Sequence, residues 1–155
     1  MKRTDVKSHC PVNFALESFG DPWSLLIVRD IVFWGKHTYG EFLASREGIS
    51  TNILASRLAH LEEKGIIKKQ PHATDKRKEV YVLTERGLDL IPMLLEMSGW
   101  SCRCDPESEA PKAFVERVYN DREGMFRIIR ETISGGGSLF NGDNSVVARI
   151  GMIRN

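Results

Sequence analysis

The stretch STNILASRLAHLEEKG, residues 50–65, decides the fold of this chain. Within it, leucines recur at spacings of four and three, which is typical of an amphipathic helix with one buried face. Ser50 is a favourable N-cap and Gly65 a favourable C-terminal stop. The pattern therefore predicts a helix over residues 51–64. The leucines of its buried stripe are Leu54, Leu58 and Leu61.

The face opposite this leucine stripe carries short side chains. A step of about 100° per residue places Asn52, Ser56 and Ala59 there. Asn pairs with adenine, Ser bonds to bases or phosphate, and Ala touches a thymine methyl, so the face suits the DNA major groove. A merely solvated helix face has the same composition. The candidate DNA-binding residues of this helix are Ser50, Thr51, Asn52, Ala55, Ser56, Arg57 and Ala59.

Arg57 has two interpretations, because it lies beside the buried stripe. Its guanidinium is long enough to reach a DNA phosphate. It is equally suited to an ion pair within the fold, with Glu62 or Glu63. The sequence leaves both open.

Three helices are predicted before this one. A short helix spans residues 11–19, and Asp21 followed by Pro22 predicts that a second helix starts at Pro22. Nine of the twelve residues 23–34 are apolar, so the second helix is the central core helix. Residues 39–45 form a third, short helix.

A basic hairpin follows the leucine-striped helix. Apolar residues 66–67 and 80–83 flank a polar segment, 72–78, which predicts two strands with a solvated tip. Residues 64–78 hold six basic side chains and one acidic, a local charge of +5 in a chain of net charge +1. Such a tip suits the phosphate backbone, although lysines also keep a hairpin soluble or protect an edge strand. The candidate DNA-binding residues of this wing are His72, Lys76, Arg77 and Lys78.

The C-terminal part is predicted to be mostly helical. Thr84 caps a helix over residues 85–100, bent slightly at Pro92. A polar connector, 101–111, leads to a last helix over residues 112–133, and glycines then mark a break before a loose tail or a small add-on. We divide the chain into a DNA-binding domain, a connector with a dimer-associated C-terminal helix, and a Gly-rich break with its tail: residues 1–100, 101–134 and 135–155.

The order helix, helix, helix, strand, wing, strand, helix is that of a winged helix-turn-helix. The expected fold class is mainly α with a small β-hairpin (α+β). In this order and spacing the chain resembles the HxlR-type family of bacterial winged-helix transcription regulators. The residues that carry the resemblance are Cys10-Pro11-Val12, Leu16-Glu17, Gly20-Asp21-Pro22-Trp23-Ser24-Leu25-Leu26-Ile27-Val28-Arg29-Asp30, Gly48-Ile49-Ser50, Arg57-Leu58, Leu61-Glu62, Gly65-Ile66-Ile67 and Tyr81-Val82-Leu83-Thr84, with Gly87, Pro92 and Trp100.

The resemblance implies a repressor or activator that binds double-stranded DNA as a homodimer. Its first and C-terminal helices form the dimer, and its two recognition helices read a palindromic operator. The apolar excess of residues 85–100 fits such an interface. The chain departs from the family pattern at Pro22, where a basic residue is usual, and at the wing, where many members have prolines. Its extension beyond Trp100 either enlarges the dimer interface or covers the pocket of an unidentified effector.

The cysteines are the candidate sensor. The resemblance implies a redox or electrophile sensor at Cys10, where His9 and a nearby helix N-terminus favour the thiolate; a small packing residue is the alternative. Cys102 and Cys104 are candidate resolving thiols, because the first and fifth helices of this family meet at the dimer interface. A metal site built from His9, Cys10, Cys102 and Cys104 lacks the Cys-x-x-Cys spacing of dependable zinc sites, so neither metal nor cofactor is expected.

Composition limits the function classes. The chain has 155 residues, 41% of them apolar, which predicts one domain with extensions, and 22 basic against 21 acidic side chains exclude a histone-like protein. We expect a cytoplasmic protein with no membrane partner, because no apolar run approaches the roughly 18 residues of a membrane span and no signal-peptide core is present. No enzyme activity is expected, since glycine-loop and nucleophile motifs are lacking. The alternatives are a winged-helix module for protein contacts and, less favoured, a thiol enzyme using Cys10.

Overall fold

The computed structural model describes residues 6–152 of the chain. These residues form nine helices and one two-stranded antiparallel sheet. No helix within this range is long and apolar enough to cross a membrane. In chain order the elements are α1 (Pro11–Phe19), α2 (Ser24–Trp34), α3 (Tyr39–Leu43), α4 (Thr51–Glu63), β1 (Ile67–Pro71), β2 (Glu79–Leu83), α5 (Glu85–Leu88), α6 (Ile91–Cys104), α7 (Lys112–Asn120), α8 (Arg122–Ser134) and α9 (Val146–Arg149).

The central core helix is α2, as the sequence predicts. Side chains such as Val28 are completely buried, and Gly35 ends the helix in the left-handed conformation, with φ 68°. The helix begins at Ser24, two residues later than predicted. The reason is a turn ahead of it, in which the Asp21 carboxylate accepts hydrogen bonds from the N–H groups of Trp23 and Ser24, both at 2.9 Å.

The helix-turn-helix unit consists of α2, α3 and α4. A capping box starts α3, with the Thr38 hydroxyl and the Glu41 carboxylate each bonded to the other residue's N–H. This helix ends at Leu43, two residues before the predicted end, and directs Phe42 into the core. The predicted bounds of α4 differ from the observed ones by one residue at the C-terminus. The mainly α fold with a winged helix-turn-helix is therefore confirmed.

The two strands form the hairpin that the sequence predicts. They pair antiparallel, with Ile67 opposite Leu83 at the base of the hairpin. Tyr81 of β2 also bonds to the loop after α2. Its N–H donates to the His37 carbonyl at 2.8 Å, and the Nδ1 atom of His37 lies 2.9 Å from the Tyr81 carbonyl oxygen. The contacts of Tyr81 thus join β2 to the loop after α2 in the helix-turn-helix unit.

The helix predicted over residues 85–100 is in fact two helices. The first, α5, ends at Leu88, and α6 starts at Ile91 with Pro92 in its first turn. Proline lacks an N–H, which the first turn does not need, so Pro92 begins a helix instead of bending one. Because α6 continues to Cys104, the first four residues of the predicted connector are helical.

The helix predicted over residues 112–133 is likewise two helices. Asp121 breaks it, with φ −147° and ψ 71°, and its carboxylate accepts the N–H of Gly124 at 3.0 Å. The side chain thereby caps α8 and turns it relative to α7. Each helix buries one apolar face, including Phe114 in α7 and Ile129 in α8.

The segment after the glycines is a packed add-on rather than a loose tail. Leu139 and Val146 have no exposed surface. The N–H groups of Leu139 and Phe140 donate to the carbonyls of Val32 and Phe33, at 2.8 and 3.1 Å. The segment therefore satisfies carbonyls in the last turn of α2 that the helix itself leaves unbonded. Residues 153–155, the end of the predicted tail, lie outside the described residues, as do residues 1–5.

Candidate nucleic-acid interface

The orientation of α4 is set by its buried side and by contacts near both ends. The three leucines of its stripe are at most 2% exposed. At the start, the Ser50 hydroxyl accepts the N–H of Ile53 at 3.4 Å, and the Tyr39 hydroxyl donates to the Thr51 carbonyl at 3.0 Å. Near the end, the Nε2 atom of His60 lies 2.8 Å from the carbonyl oxygen of Ser18 in α1. These contacts determine which face of α4 points outward.

The outward face of α4 holds the short side chains that the sequence placed there. Asn52, Ser56 and Ala59 are all exposed. Ser50, Thr51 and Ala55, the other small candidates, are exposed as well. The structure thus brings six of the seven candidate residues of this helix to the surface as one uncharged region. Whether they touch DNA remains a prediction.

Ile53 is an exposed residue of α4 that the sequence analysis missed. It is 39% exposed and lines a small cleft together with Asn52 and Ser56. The sequence analysis assigned Ile53 to neither face, because it considered only the leucine stripe and the short side chains opposite. An exposed isoleucine beside polar side chains is suited to contact a thymine methyl.

Arg57 pairs within the fold, with a partner that the sequence analysis did not name. Its Nη1 atom lies 3.3 Å from Oδ2 of Asp21, ahead of α2. Glu62, one of the two expected partners, lies 3.7 Å from the Lys69 amine. Partial burial opposes ionisation of Asp21. Hydrogen bonds from the Ser24 hydroxyl and nearby N–H groups, with the Arg57 charge, outweigh it and lower the pKa of Asp21. Arg57 thus lies at the edge of the outward face with a carboxylate beside it.

The tip of the wing is organised by residues 72–78. The His72 N–H donates to the Lys78 carbonyl at 2.9 Å and closes the loop. The Nδ1 atom of His72 accepts the N–H groups of Thr74 and Asp75, at 3.2 and 3.3 Å. His72 was predicted as a DNA contact, and in the structure it shapes the loop that presents the lysines.

Two of the six basic residues counted in the wing region are paired in the structure. Arg77 bonds to the Asp75 carboxylate, with Nε and Oδ1 3.1 Å apart, and this contact lowers the pKa of Asp75. The Lys69 amine lies 3.7 Å from Glu62 in α4 and 3.8 Å from Glu79. The Lys69 pair ties the wing to the recognition helix. Lys76 and Lys78 are exposed at the tip.

Two helices, α1 and α6, expose large apolar side chains. On α6 the exposed residues follow one stripe at helical spacing. Large apolar side chains at the surface of a lone chain indicate an interaction site. The exposed members are Val12, Phe14 and Leu16 on α1, and Met93, Met97 and Trp100 on α6.

Cys10 is exposed at the N-terminus of α1, of which it is the N-cap residue. The backbone N–H groups of Asn13 and Val12 face its sulfur and lower the pKa of the thiol. The structure thus supplies the helix-terminus effect expected from the sequence. Cys102 is half-buried and Cys104 exposed, and all three thiols are free. Within residues 6–152, no three His, Cys, Asp or Glu side chains are grouped to hold a metal ion.

The chain is similar to known regulators in sequence and in structure. A family model described as HxlR-like helix-turn-helix matches residues 18–109. An HTH-type transcriptional regulator of Mycobacterium tuberculosis is 37% identical over 100 residues, which are 64% of this chain and 62% of that protein. The chain thus matches about three fifths of the length of this relative.

Solved structures of two regulators are also similar to this chain. PA1607, described as a candidate transcription factor, has 38% sequence identity to this chain and a TM-score of 0.59. The match covers 65% of this chain and 70% of PA1607. The redox regulator HypR, solved in its oxidised form, has 31% identity and a TM-score of 0.53. That match covers 59% of this chain and 94% of HypR.

Proposed function

Since the chain belongs to the HxlR-like helix-turn-helix family, we propose that it is a transcription regulator that binds a palindromic site in double-stranded DNA as a homodimer. The observation that carries this proposal is the outward face of α4. Its short, uncharged side chains belong to a helix oriented by buried leucines and by hydrogen bonds to α1 and α3. Asn52 and Ser56 supply hydrogen bonds to base edges, and Ala59 supplies an apolar contact.

The wing supplies a contact of a different kind in this proposal. Lys76 and Lys78 at its tip attract the phosphate backbone, which adds affinity without adding sequence preference. Lys69 of β1 lies 3.7 Å from Glu62 of α4, so the two elements are neighbours and are suited to face the same duplex.

The homodimer is proposed from the apolar surface on α1 and α6. Six large apolar side chains are exposed there in a chain that otherwise buries an extensive core. Pairing with the same surface of a second copy removes them from water. A two-fold dimer places its two recognition helices in symmetric half-sites, which explains why the operator is expected to be a palindrome.

Selection of DNA from a pool of randomised duplexes tests this function. The purified protein is incubated with the pool, and the retained duplexes are sequenced after several rounds. We expect an inverted repeat whose half-sites lie about one helical turn apart, near 10 bp. Recovery of random sequence would contradict the proposal and favour a module for protein contacts, the second class of function compatible with this fold.

Regulation is proposed to pass through Cys10. Its exposure and lowered pKa favour the thiolate that reacts with oxidants and electrophiles, and HypR is described as a redox regulator. Oxidation by diamide takes two electrons and two protons from two thiols and joins them as a disulfide. The candidate second thiols are Cys102, Cys104 and Cys10 of a second copy.

The reactivity of Cys10 is testable by alkylation. We expect the rate at which iodoacetamide modifies Cys10 to rise with pH, with a lower midpoint in the folded protein than in urea. The reason is that unfolding separates the thiolate from the α1 N–H groups that stabilise it. Mass spectrometry of the Cys10 peptide gives the rate at each pH. Equal midpoints in the two states would show that α1 does not activate this thiol.

A DNA-binding measurement then tests whether this thiol is the sensor. Diamide is expected to change the affinity of the wild type but not of Cys10→Ser, whose untreated affinity is unchanged. Cys102→Ser and Cys104→Ser identify the second thiol, because the variant that lacks it also loses the response, and a response kept by both assigns it to Cys10 of a second copy. If Cys10→Ser still responds to diamide, one of the other cysteines is the sensor. Catalytic turnover of a peroxide would instead favour a thiol enzyme.

A further inference from the structure

A large cavity lies between the helix-turn-helix unit and the C-terminal extension. Its volume is about 850 Å³, within the range of roughly 300–1,000 Å³ that is usual for sites of small molecules. Its walls come from α2, from α6, from the connector at residues 108–111, from α7 and from the segment after the glycines. The proposed DNA-binding surfaces on α4 and the wing tip take no part in it.

The interior of the cavity is apolar and rich in aromatic rings. Phe140 from the C-terminal segment packs against Phe33 and Phe114, with ring centres 5.6 and 5.1 Å apart. Trp34 lies 5.7 Å from the same ring. Phe33 and Phe140 are half-buried and line the cavity. Aromatic rings in its wall are suited to pack against a planar apolar molecule.

The charged groups at the edge of the cavity are paired within the chain. Arg29 bonds to Asp30 at 2.7 Å and to Glu47 at 2.5 Å. Arg46 pairs with Glu109, and Glu96 pairs with Arg122. An uncharged ligand leaves these pairs in place, whereas a charged one would compete with the partly buried pairs of Arg29.

We propose that this cavity binds an uncharged aromatic small molecule. The aromatic lining and the paired edge charges determine this chemistry. A side chain of a second copy is the alternative occupant, because Met97 of the exposed α6 stripe also lines the cavity, and such an occupant would keep the probe out. The site depends on the extension, since Phe114 and Phe140 lie beyond residue 109, where the family match ends.

A fluorescence titration of the full chain with N-phenyl-1-naphthylamine tests the proposal. This probe is uncharged and aromatic, and its emission rises when it leaves water for an apolar site. We expect a saturable rise with one probe per chain. Val115→Trp on α7 and Ser101→Phe on α6, both at half-buried positions of the lining, enlarge side chains on two different walls, and each should weaken binding by about tenfold or more.

Two control variants separate the cavity from other apolar surfaces. Lys112→Trp adds the same ring on α7 outside the lining, and Phe14→Ser removes a large side chain from the exposed surface on α1. Both should bind the probe within about twofold of the wild type. Unchanged binding by both cavity-filling variants, loss of binding in Phe14→Ser, or no saturable signal would each overturn the proposal.

Discussion

The recognition helix and the wing are built in opposite ways. α4 has a completely buried stripe, hydrogen bonds to α1 and α3, and an outward face without charge. The wing tip has no buried side chain between residues 72 and 78, and the loop is held by hydrogen bonds among its own residues. The difference fits the two tasks that we propose, because reading base edges needs atoms at defined positions, whereas attraction to phosphate needs only charge nearby.

The largest effect is expected from the buried side of α4. Leu54→Ala removes a side chain with no exposed surface, and it should lower the free energy of unfolding by about 2–5 kcal/mol. Urea denaturation followed by circular dichroism measures this change. Ile53→Ala is the matched control, because Ile53 is 39% exposed and should lose less than about 1 kcal/mol. Equal losses would break the contrast between the two sides of the helix.

A smaller effect on DNA affinity is expected from the wing. Lys76→Ala with Lys78→Ala should weaken binding to all duplexes by a similar factor. It should also reduce the slope of log K against log salt by about two, since each lost phosphate contact contributes roughly 0.9. Anisotropy titrations at several salt concentrations measure both.

The control for the wing pair is Lys112→Ala with Arg127→Ala on α7 and α8, which removes the same charge from exposed positions elsewhere. This control should leave the salt slope nearly unchanged. A wing variant that behaves like it would show that the wing does not touch DNA.

The smallest effect is expected from Arg57 and Asp21, at the edge of the outward face of α4. Asp21→Asn should raise DNA affinity by about two- to fivefold, because it removes a carboxylate near the outward face and releases Arg57 towards a phosphate. Asn still caps the turn before α2, so stability should fall by less than about 1 kcal/mol. Unchanged affinity in anisotropy titrations would assign Arg57 a purely structural role.

The bounds of α4 could be predicted from the sequence, whereas the contacts of Arg57 and His72 could not. The leucine period and the Ser50 cap are local signals, and they placed α4 within one residue of its observed end. The partner of Arg57 lies 36 positions earlier in the chain, at Asp21, and no local pattern reports such a contact. The loop-forming role of His72 depends in the same way on the geometry of the folded turn.

The C-terminal segment was the least predictable region for a related reason. Its amides bond to the last carbonyls of α2, more than a hundred residues earlier. A capping contact of this kind leaves no periodic pattern in the segment itself, so a loose tail and an add-on had the same sequence signature. The breaks at Pro92 and Asp121 were missed because helical spacing of apolar residues continues across them.

Repeating the selection from randomised duplexes with two variants tests whether α4 reads the bases while the wing binds phosphate. We expect Lys76→Ala with Lys78→Ala to recover the wild-type consensus at lower yield. Asn52→Ala with Ser56→Ala should recover a consensus that is altered or relaxed at the bases facing α4. An unchanged consensus from the α4 variant, or an altered one from the wing variant, would contradict the assignment of base reading to the helix and phosphate binding to the wing.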